Sequence, residues 1–387
     1  MRCENAHFIG PSGSSAYFGG PTMAPMQEIE LKFQIPQGAL AAVKAELARL
    51  PAGLAPAQKL QAAYFDTPDR KLAKARAALR VRQEDEDWVQ TLKAAGANAM
   101  TRLEDNQAAR AFAPDETILP DLSLHQPEAV RQALMRDLGW QPDADPEGAH
   151  LGLIQLYRTD MQRLRAQASN EAIHPERAGR VEIALDLGLI AAGDRSVPVH
   201  ELEIELIDGH AQAVLDIAQG LVKHHGLWLD TQTKAHRGDQ LAREAASGVP
   251  SPLPPARPRA RISVTTTPQQ RWVAALDAAL EHISHNLSEV ALETCDAQQA
   301  HRPDLSPWIK GWATGLRRLA WVWRHAPADA QPSAQAAAIQ QEIRDLYRQL
   351  RPVARRYLPS GQAPALARSA SATLLALHVL SVIVEMP

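Results

Sequence analysis

The sequence predicts an α+β protein in which a region of antiparallel strands is followed by an all-α helical bundle. Three observations carry this. Before residue 248, short segments alternate apolar and polar residues with period two. After residue 268, apolar residues recur at helical spacing. Between the two, "GVPSPLPPARPRARISVTTTP" (248–268) replaces any periodicity with Pro, Arg and Thr and reads as a linker. The first 25 residues, rich in Gly, Ser and Pro, have neither the basic start nor the apolar core of a signal peptide, so a disordered extension is expected there. The expected organisation is an extension over 1–25, a strand-rich region over 26–245, a linker over 246–267 and a helical region over 268–387.

Taken in order, the strand-like segments are "QEIELKFQI", "ALRVRQED", "DWVQTLKA", "LIQLYRTD", "RVEIALDLGL" and "VHELEIELI". Helix-like stretches lie at 37–50, 126–139 and 210–226, the first with Leu40, Val43, Leu47 and Leu50 at helical spacing. Beyond the linker, Trp272 to Val290, Trp308 to Trp323 and Ile339 to Val353 each mark an amphipathic helix, and a fourth is expected from about Ala365 to Val384. That fourth segment includes "SATLLALHVLSVIVEMP", which is shorter than the roughly 20 residues a membrane span needs and contains Ser371, Thr373, His378 and Ser381. It reads as a buried helix.

The chain has 387 residues, 45% hydrophobic, so core is ample for more than one domain. With 41 basic and 44 acidic residues the net charge is -3, which argues against nucleic acid or an anionic membrane as partner; any anion site must be a local concentration of charge. Cys3 and Cys295 form neither a disulfide framework nor a metal knuckle, and the chain reads as cytoplasmic.

The charged positions of the strands are unusual. In "EIELKF", Glu28, Glu30 and Lys32 share one face while Ile29, Leu31 and Phe33 share the other. Two carboxylates about 7 Å apart on a strand repel by roughly 2 kcal/mol at an effective dielectric of about 20. Acidic stripes recur as Glu201, Glu203 and Glu205, and as Glu182 and Asp186 beside Arg180; basic stripes appear as Arg80 with Arg82, Lys93, and Arg163 with Arg165. The signs are sorted by strand. A curled sheet could turn these faces inward, where carboxylates would suit Mg²⁺ or Mn²⁺ and Arg or Lys would suit phosphate oxygens. A barrel with an apolar interior and a charged exterior fits each strand equally well, and the pattern alone does not choose.

The motifs resemble those of the CYTH superfamily, the triphosphate tunnel metalloenzymes. "EIELKF" matches its ExExK signature, followed in order by "YFDTPD" (64–69), "ALRVRQ" (78–83), "WVQTLKA" (88–94), "RLE" (102–104), "VEIALDLG" (181–188), "ELEIEL" (201–206) and "KAHRG" (234–238). The resemblance implies a closed tunnel of eight antiparallel strands that binds a triphosphate and divalent metal. It implies Glu28, Glu30 and Lys32 as the catalytic signature, and Glu28, Glu30, Glu182, Asp186, Glu203 and Glu205, with Glu201 as a further candidate, as metal-side carboxylates. It implies Lys32, Arg80, Arg82, Lys93, Arg163 and Lys234 as the phosphate clamp. At the last acidic position of the family's RxExE pattern this chain has Asn106, and Thr233 precedes Lys234 where serine is usual.

A CYTH domain followed by helices resembles the CYTH-CHAD type of bacterial inorganic triphosphatase. The helix "WIKGWATGLRRLAWVWRHA" places Arg317 and Arg318 in register with the CHAD helix, while Lys310 and Ala313 depart from it. Arg324, Arg344, Arg348, Arg351, Arg355 and Arg356 extend a basic face that reads as solvated bundle surface, with polyphosphate as the other occupant. The expected activity is metal-dependent hydrolysis of inorganic tripolyphosphate. Class IV adenylate cyclase, thiamine triphosphatase and a non-catalytic polyphosphate- or nucleotide-binding module are the competing readings. Outside these motifs, His282, His285 and Glu289 lie at i, i+3 and i+7 but read as surface helix rather than metal ligands, and His224 and His225 read as a helix end. There is no phosphate-binding GxxxxGK[ST] loop, GxGxxG turn or GxSxG elbow.

Overall fold

A computed structural model describes residues 29–75, 77–95, 102–113, 116–249, 254–256, 267–292, 304–327, 334–355 and 362–386. Glu28 and Arg356 lie outside them. The first part of the chain forms β1 (Glu30–Gln34), α1 (Leu40–Leu47), β2 (Gln58–Asp66), α2 (Lys71–Lys74), β3 (Ala78–Glu84), β4 (Asp87–Ala95) and β5 (Arg102–Ala108). There follow α3 (Glu128–Leu138), β6 (Ile154–Ser169), β7 (Gly179–Ala192), β8 (Arg195–Gly209), α4 (Gln212–His225), β9 (Trp228–Leu229) and α5 (Lys234–Ser247). The helical part comprises α6 (Pro268–Ala291), α7 (Ser306–Arg324), α8 (Ala334–Ala354), α9 (Gln362–Ala367) and α10 (Ala370–Glu385).

The nine strands among the described residues belong to one antiparallel sheet in the order β5-β4-β3-β2-β6-β7-β8-β1-β9. The expectation was eight strands closed into a tunnel; the ninth is the two-residue β9, and among the described residues the ladder has β5 and β9 as its two ends. β7 and β8 form the longest hairpin, turned by Gly193 at φ +57. The fourth expected helix is two, α9 and α10, because Ser369 caps α10 by accepting from Ala372 N and thereby starts a new helix.

The register decides which strand face meets the core. Opposite residues of an antiparallel pair share a face. Phe33, Leu202, Ile204, Ile183 and Leu185 therefore lie on one side and are buried under Val43 and Leu47 of α1 and the apolar stripe of α4. Farther along the same side, Phe65, Leu79, Val81 and Leu92 are buried with Leu72 of α2 and Val130, Leu134 and Leu138 of α3. Each such side chain contributes about 1.5–3 kcal/mol on burial, so the helices commit this face to the interior and leave the charged face opposite.

The helical part is not separate from the sheet. One apolar core runs from Phe33 and Leu202 through α4 into α6, α7, α8 and α10. Gln212 Nε2 of α4 also donates to Ser381 Oγ of α10 at 2.7 Å within it. No described helix is long and apolar enough to cross a membrane.

Candidate functional site

On the face away from these helices, the register aligns the charged residues strand by strand. Glu30, Lys32 and Gln34 of β1 stand opposite Glu205, Glu203 and Glu201 of β8, and Glu205 and Glu201 stand opposite Glu182 and Asp186 of β7. Asp186 faces Arg163 of β6; past β2, Arg80 and Arg82 of β3 lie in register with Thr91 and Val89 of β4, and Lys93 faces Glu104 of β5. Every described residue of the expected metal and phosphate sets thus lies on this face or, in the case of Lys234, on the helix packed against it. Carboxylates dominate β8 and β7 and cations dominate β6 and β3, while β1 adds Glu30 with Lys32 and β4 adds Lys93.

Helix α5 lies against this face. Thr233 caps its start, its hydroxyl accepting from His236 N. Leu241 and Ala242 pack with Leu60, Ala62, Tyr64, Tyr157 and Met161, where the Tyr64 and Tyr157 rings stack at 4.6 Å. Gly238 makes this approach possible, because a Cβ there would come within 2.2 Å of the Tyr157 ring. Arg70, at the turn after β2, ties the helix down through Asp239 at 2.9 Å.

The first turn of α5 brings Lys234 into the acidic strands. Its ammonium lies 2.8 Å from Asp186, 2.5 Å from Glu201 and 2.8 Å from Glu203. Arg163 holds both oxygens of Asp186 at 2.6 Å and reaches Glu203 Oε2 at 2.6 Å. Arg237, one turn after Lys234, pairs with Glu201, which also accepts from Gln34 Nε2 at 3.0 Å. Three carboxylates face three cations here, and Glu201 and Asp186 are 0% and 1% exposed.

Burial opposes ionisation of both acids, but the cations outweigh it. Lys234, Arg237 and Lys32 hold Glu201 down at about 2, and Arg163 with Lys234 holds Asp186 well below the usual range. Burial likewise opposes the charge on Lys234 and Arg163, and the surrounding carboxylates keep both firmly protonated.

The oxygens of Asp186, Glu201 and Glu203 lie within 4.8 Å of one another, a hard donor set that could hold a metal ion. In this arrangement the Lys234 ammonium sits among them. Lys234, Arg163 and Glu203, expected to touch ligands, are engaged with one another. The neighbouring row, Glu30, Glu205 and Glu182, brings further carboxylates into register about 5 Å apart. Within it Glu182 accepts from Arg165 Nε at 3.1 Å.

The basic strands differ in how committed their cations are. Arg82 pairs with Glu84 and Lys93 with Glu104 at 2.7 Å. Burial, with Arg80 beside it, lowers the Arg82 pKa. Asn106 bridges the neighbours by accepting from Thr91 Oγ1 at 2.7 Å and donating to Glu104 at 3.2 Å. The buried Nε of Arg80 has no hydrogen-bond partner. A buried guanidinium nitrogen without an acceptor favours an incoming anion.

The residues outside the expected set are Gln34, Arg165, Asp230 and Arg237. Gln34 continues the alternation of Glu30 and Lys32, and Arg237 follows Lys234 at i+3; both were visible as spacing. In the helical part, Arg317, Arg318, Arg324 and Arg344 line a groove of about 590 Å³ between α7 and α8 with Trp321 and Tyr347. The expected surface reading of His282 and Glu289 is corrected: they are 3% and 5% exposed, because Glu289 meets Gln232 in the segment leading into α5 and His282 lies beside Gly315 of α7. His225 does end α4, where it pairs with Glu46 at 2.8 Å.

A region of the chain, residues 26–238, matches the family model described as the CYTH domain. An inorganic triphosphatase of Haemophilus influenzae is 29% identical over 178 residues, covering 45% of this chain and 44% of its own length, so the chain spans less than half of that relative. Among solved structures, a candidate adenylate cyclase from Bacillus halodurans matches with TM-score 0.37 and 22% identity over 54% of this chain and 96% of its own. A candidate adenylyl cyclase from Hippeastrum, described as having a dominant triphosphatase activity, matches with TM-score 0.35 and 18% identity over 57% and 96%. With more than half of its residues matched by the family model, the chain belongs to the CYTH domain family.

Proposed function

We propose that this protein hydrolyses a triphosphate, inorganic tripolyphosphate above all, to diphosphate and phosphate, using Mg²⁺ or Mn²⁺. The observation that carries this reading is the register: one sheet face bears sorted carboxylates and cations while its reverse is apolar and covered by helices. The relative named inorganic triphosphatase supports the same substrate class. In this reading the sheet closes into a tunnel around the substrate.

Glu30, Glu182, Glu203 and Glu205, with Glu28, would hold the metal, and Asp186 contributes through its contact with Lys234. When bound, the ion supplies charge neutralisation at the transferred phosphoryl and a water of lowered pKa. Lys32 and Arg80 bind phosphate oxygens directly, and Arg82, Lys93 and Arg163 join them by exchanging a carboxylate partner for phosphate. The water oxygen bonds to the terminal phosphorus and gives up a proton to solvent, the bridging P–O bond breaks, and diphosphate leaves with the electron pair. Positioning and electrostatic stabilisation do most of the work. The helical part is read as a shortened CHAD-like domain whose arginine groove offers a longer polyphosphate a second surface.

The test is to incubate the full chain with tripolyphosphate, ATP and thiamine triphosphate under Mg²⁺ and Mn²⁺, measuring phosphate and cyclic AMP together. Phosphate from tripolyphosphate is expected; cyclic AMP from ATP, or tight binding without turnover, would overturn the reading.

A further inference from the structure

Lys234 enters the acidic cluster from a connector, residues 230–233, that joins β9 to α5. The helical part grips β9 and this connector at three points. Thr373 Oγ1 of α10 accepts from Leu229 N at 3.2 Å, Ser288 Oγ of α6 accepts from Thr231 N at 3.0 Å, and Glu289 Oε1 accepts from Gln232 Nε2 at 2.7 Å. All three side chains are at least nine-tenths buried. From the other side, the sheet holds the same segment: Asp230 N donates to Lys32 O at 3.0 Å, and Gln34 Nε2 donates to Asp230 Oδ2 at 2.8 Å.

A helix that only packed would fill this face with apolar residues, since burying polar groups stabilises nothing unless they are paired. Ser288 and Glu289 are instead paired to the connector, and the residue after Gln232 is the N-cap of α5. Lys234 is then only two residues from Gln232. Its ammonium serves three carboxylates at 2.5–2.8 Å, so a displacement of about 1 Å would strand buried negative charge.

We propose that Ser288 and Glu289 are positioning residues for Lys234, which makes α6 a working part of the triphosphate site. This deepens the functional reading above and rests on it only for the substrate. The hydroxyl and the carboxylate fix the connector, the connector fixes the first turn of α5, and that turn sets the carboxylates that face substrate and metal.

The experiment compares the full-length wild type with Ser288→Ala/Glu289→Ala, with Ser288→Thr/Glu289→Gln, which keeps both acceptors, and with Ser381→Ala. The last removes an equally buried bond between sheet part and helical part, Gln212 to Ser381, away from the connector. Hydrogen–deuterium exchange of residues 234–242 and calorimetric binding of Mg²⁺ with tripolyphosphate are read on each. The double alanine variant is expected to exchange faster over 234–242 and to bind about tenfold more weakly, while Ser288→Thr/Glu289→Gln stays near wild type and Ser381→Ala lowers Tm without either effect. In a Lys234→Met background the alanine pair is expected to cost no further affinity. Unchanged exchange in the double alanine variant, or equal effects from Ser381→Ala, would overturn the proposal. If the wild type neither binds nor hydrolyses tripolyphosphate, the functional reading fails, and the exchange measurement alone decides the positioning role.

Discussion

Two groups of carboxylates lie side by side on the same sheet face and are built for different work. Asp186, Glu201 and Glu203 are matched one for one by Arg163, Lys234 and Arg237, with Glu201 wholly out of solvent. Glu30, Glu182 and Glu205 run alongside in the same register, and Glu30 is exposed. Both are carboxylates presented on one face of neighbouring strands. What distinguishes the first group is α5, which delivers Lys234 and Arg237 to it. Carboxylates gathered around a lysine and arginines out of solvent tie the strands to α5 as well as facing the site, whereas Glu30 and Glu205 are exposed, so charge there is dehydrated less and contributes less to stability.

The sharpest way to break this distinction is Lys234→Met. Two buried carboxylates and the half-buried Glu203 would share two cations, and a loss of about 3–5 kcal/mol is expected, read as a fall in the denaturant midpoint. A stability equal to wild type would mean the cluster is wetter than its burial implies. Next in size, Glu30→Gln should lower kcat/KM for tripolyphosphate by about 100-fold, near 2.7 kcal/mol, with Tm nearly unchanged. If both fall together, the outer row is structural too.

Acid should separate the groups without mutation. Glu201 titrates at about 2 when folded against 4.5 for the unperturbed group. A depressed folded pKa stabilises above the unfolded value, so its contribution is intact above about pH 4.5 and disappears as pH falls towards 2. The expected loss is on the order of 3 kcal/mol, and Glu201→Gln should flatten the stability profile in that window. A wild-type profile already flat between pH 4.5 and 2 would contradict the pairing. Arg80→Ala should raise KM about tenfold or more, in line with roughly 1.5–3 kcal/mol for a charge-assisted bond, and leave kcat little altered. The smallest effect belongs to Glu104→Gln at the half-exposed Lys93 pair, where a stability change under about 1 kcal/mol is expected.

The charged strands were legible because alternation survives where one face is apolar and the other charged, as in β1, β3, β7 and β8. β2 was hidden from that test: Ala62 to Asp66 are buried in succession, since α5 covers one face and the α2–α3 core the other. β5 is too polar for its pattern to show, and was found only through its resemblance motif. Which face turns inward was not legible at all, because it depends on where α1, α3 and α4 pack. For the same reason the sequence offered Lys234 as a phosphate contact and left its three carboxylate partners unseen. The polar face of α6 was misread because what it binds, residues 231 and 232, is more than fifty positions away.

The shared core has a consequence for the order in which the protein is made. Val222, Leu227 and Leu229 leave the ribosome long before Leu377 and Val379 of α10, which complete the same apolar cluster. At the roughly 5–20 residues per second of synthesis, the finished sheet waits on the order of ten seconds with an uncovered greasy flank. The chain's period of greatest exposure to aggregation therefore falls late in translation, and a chaperone that shields α4 during that interval would raise the yield of folded protein more than one acting on the released chain.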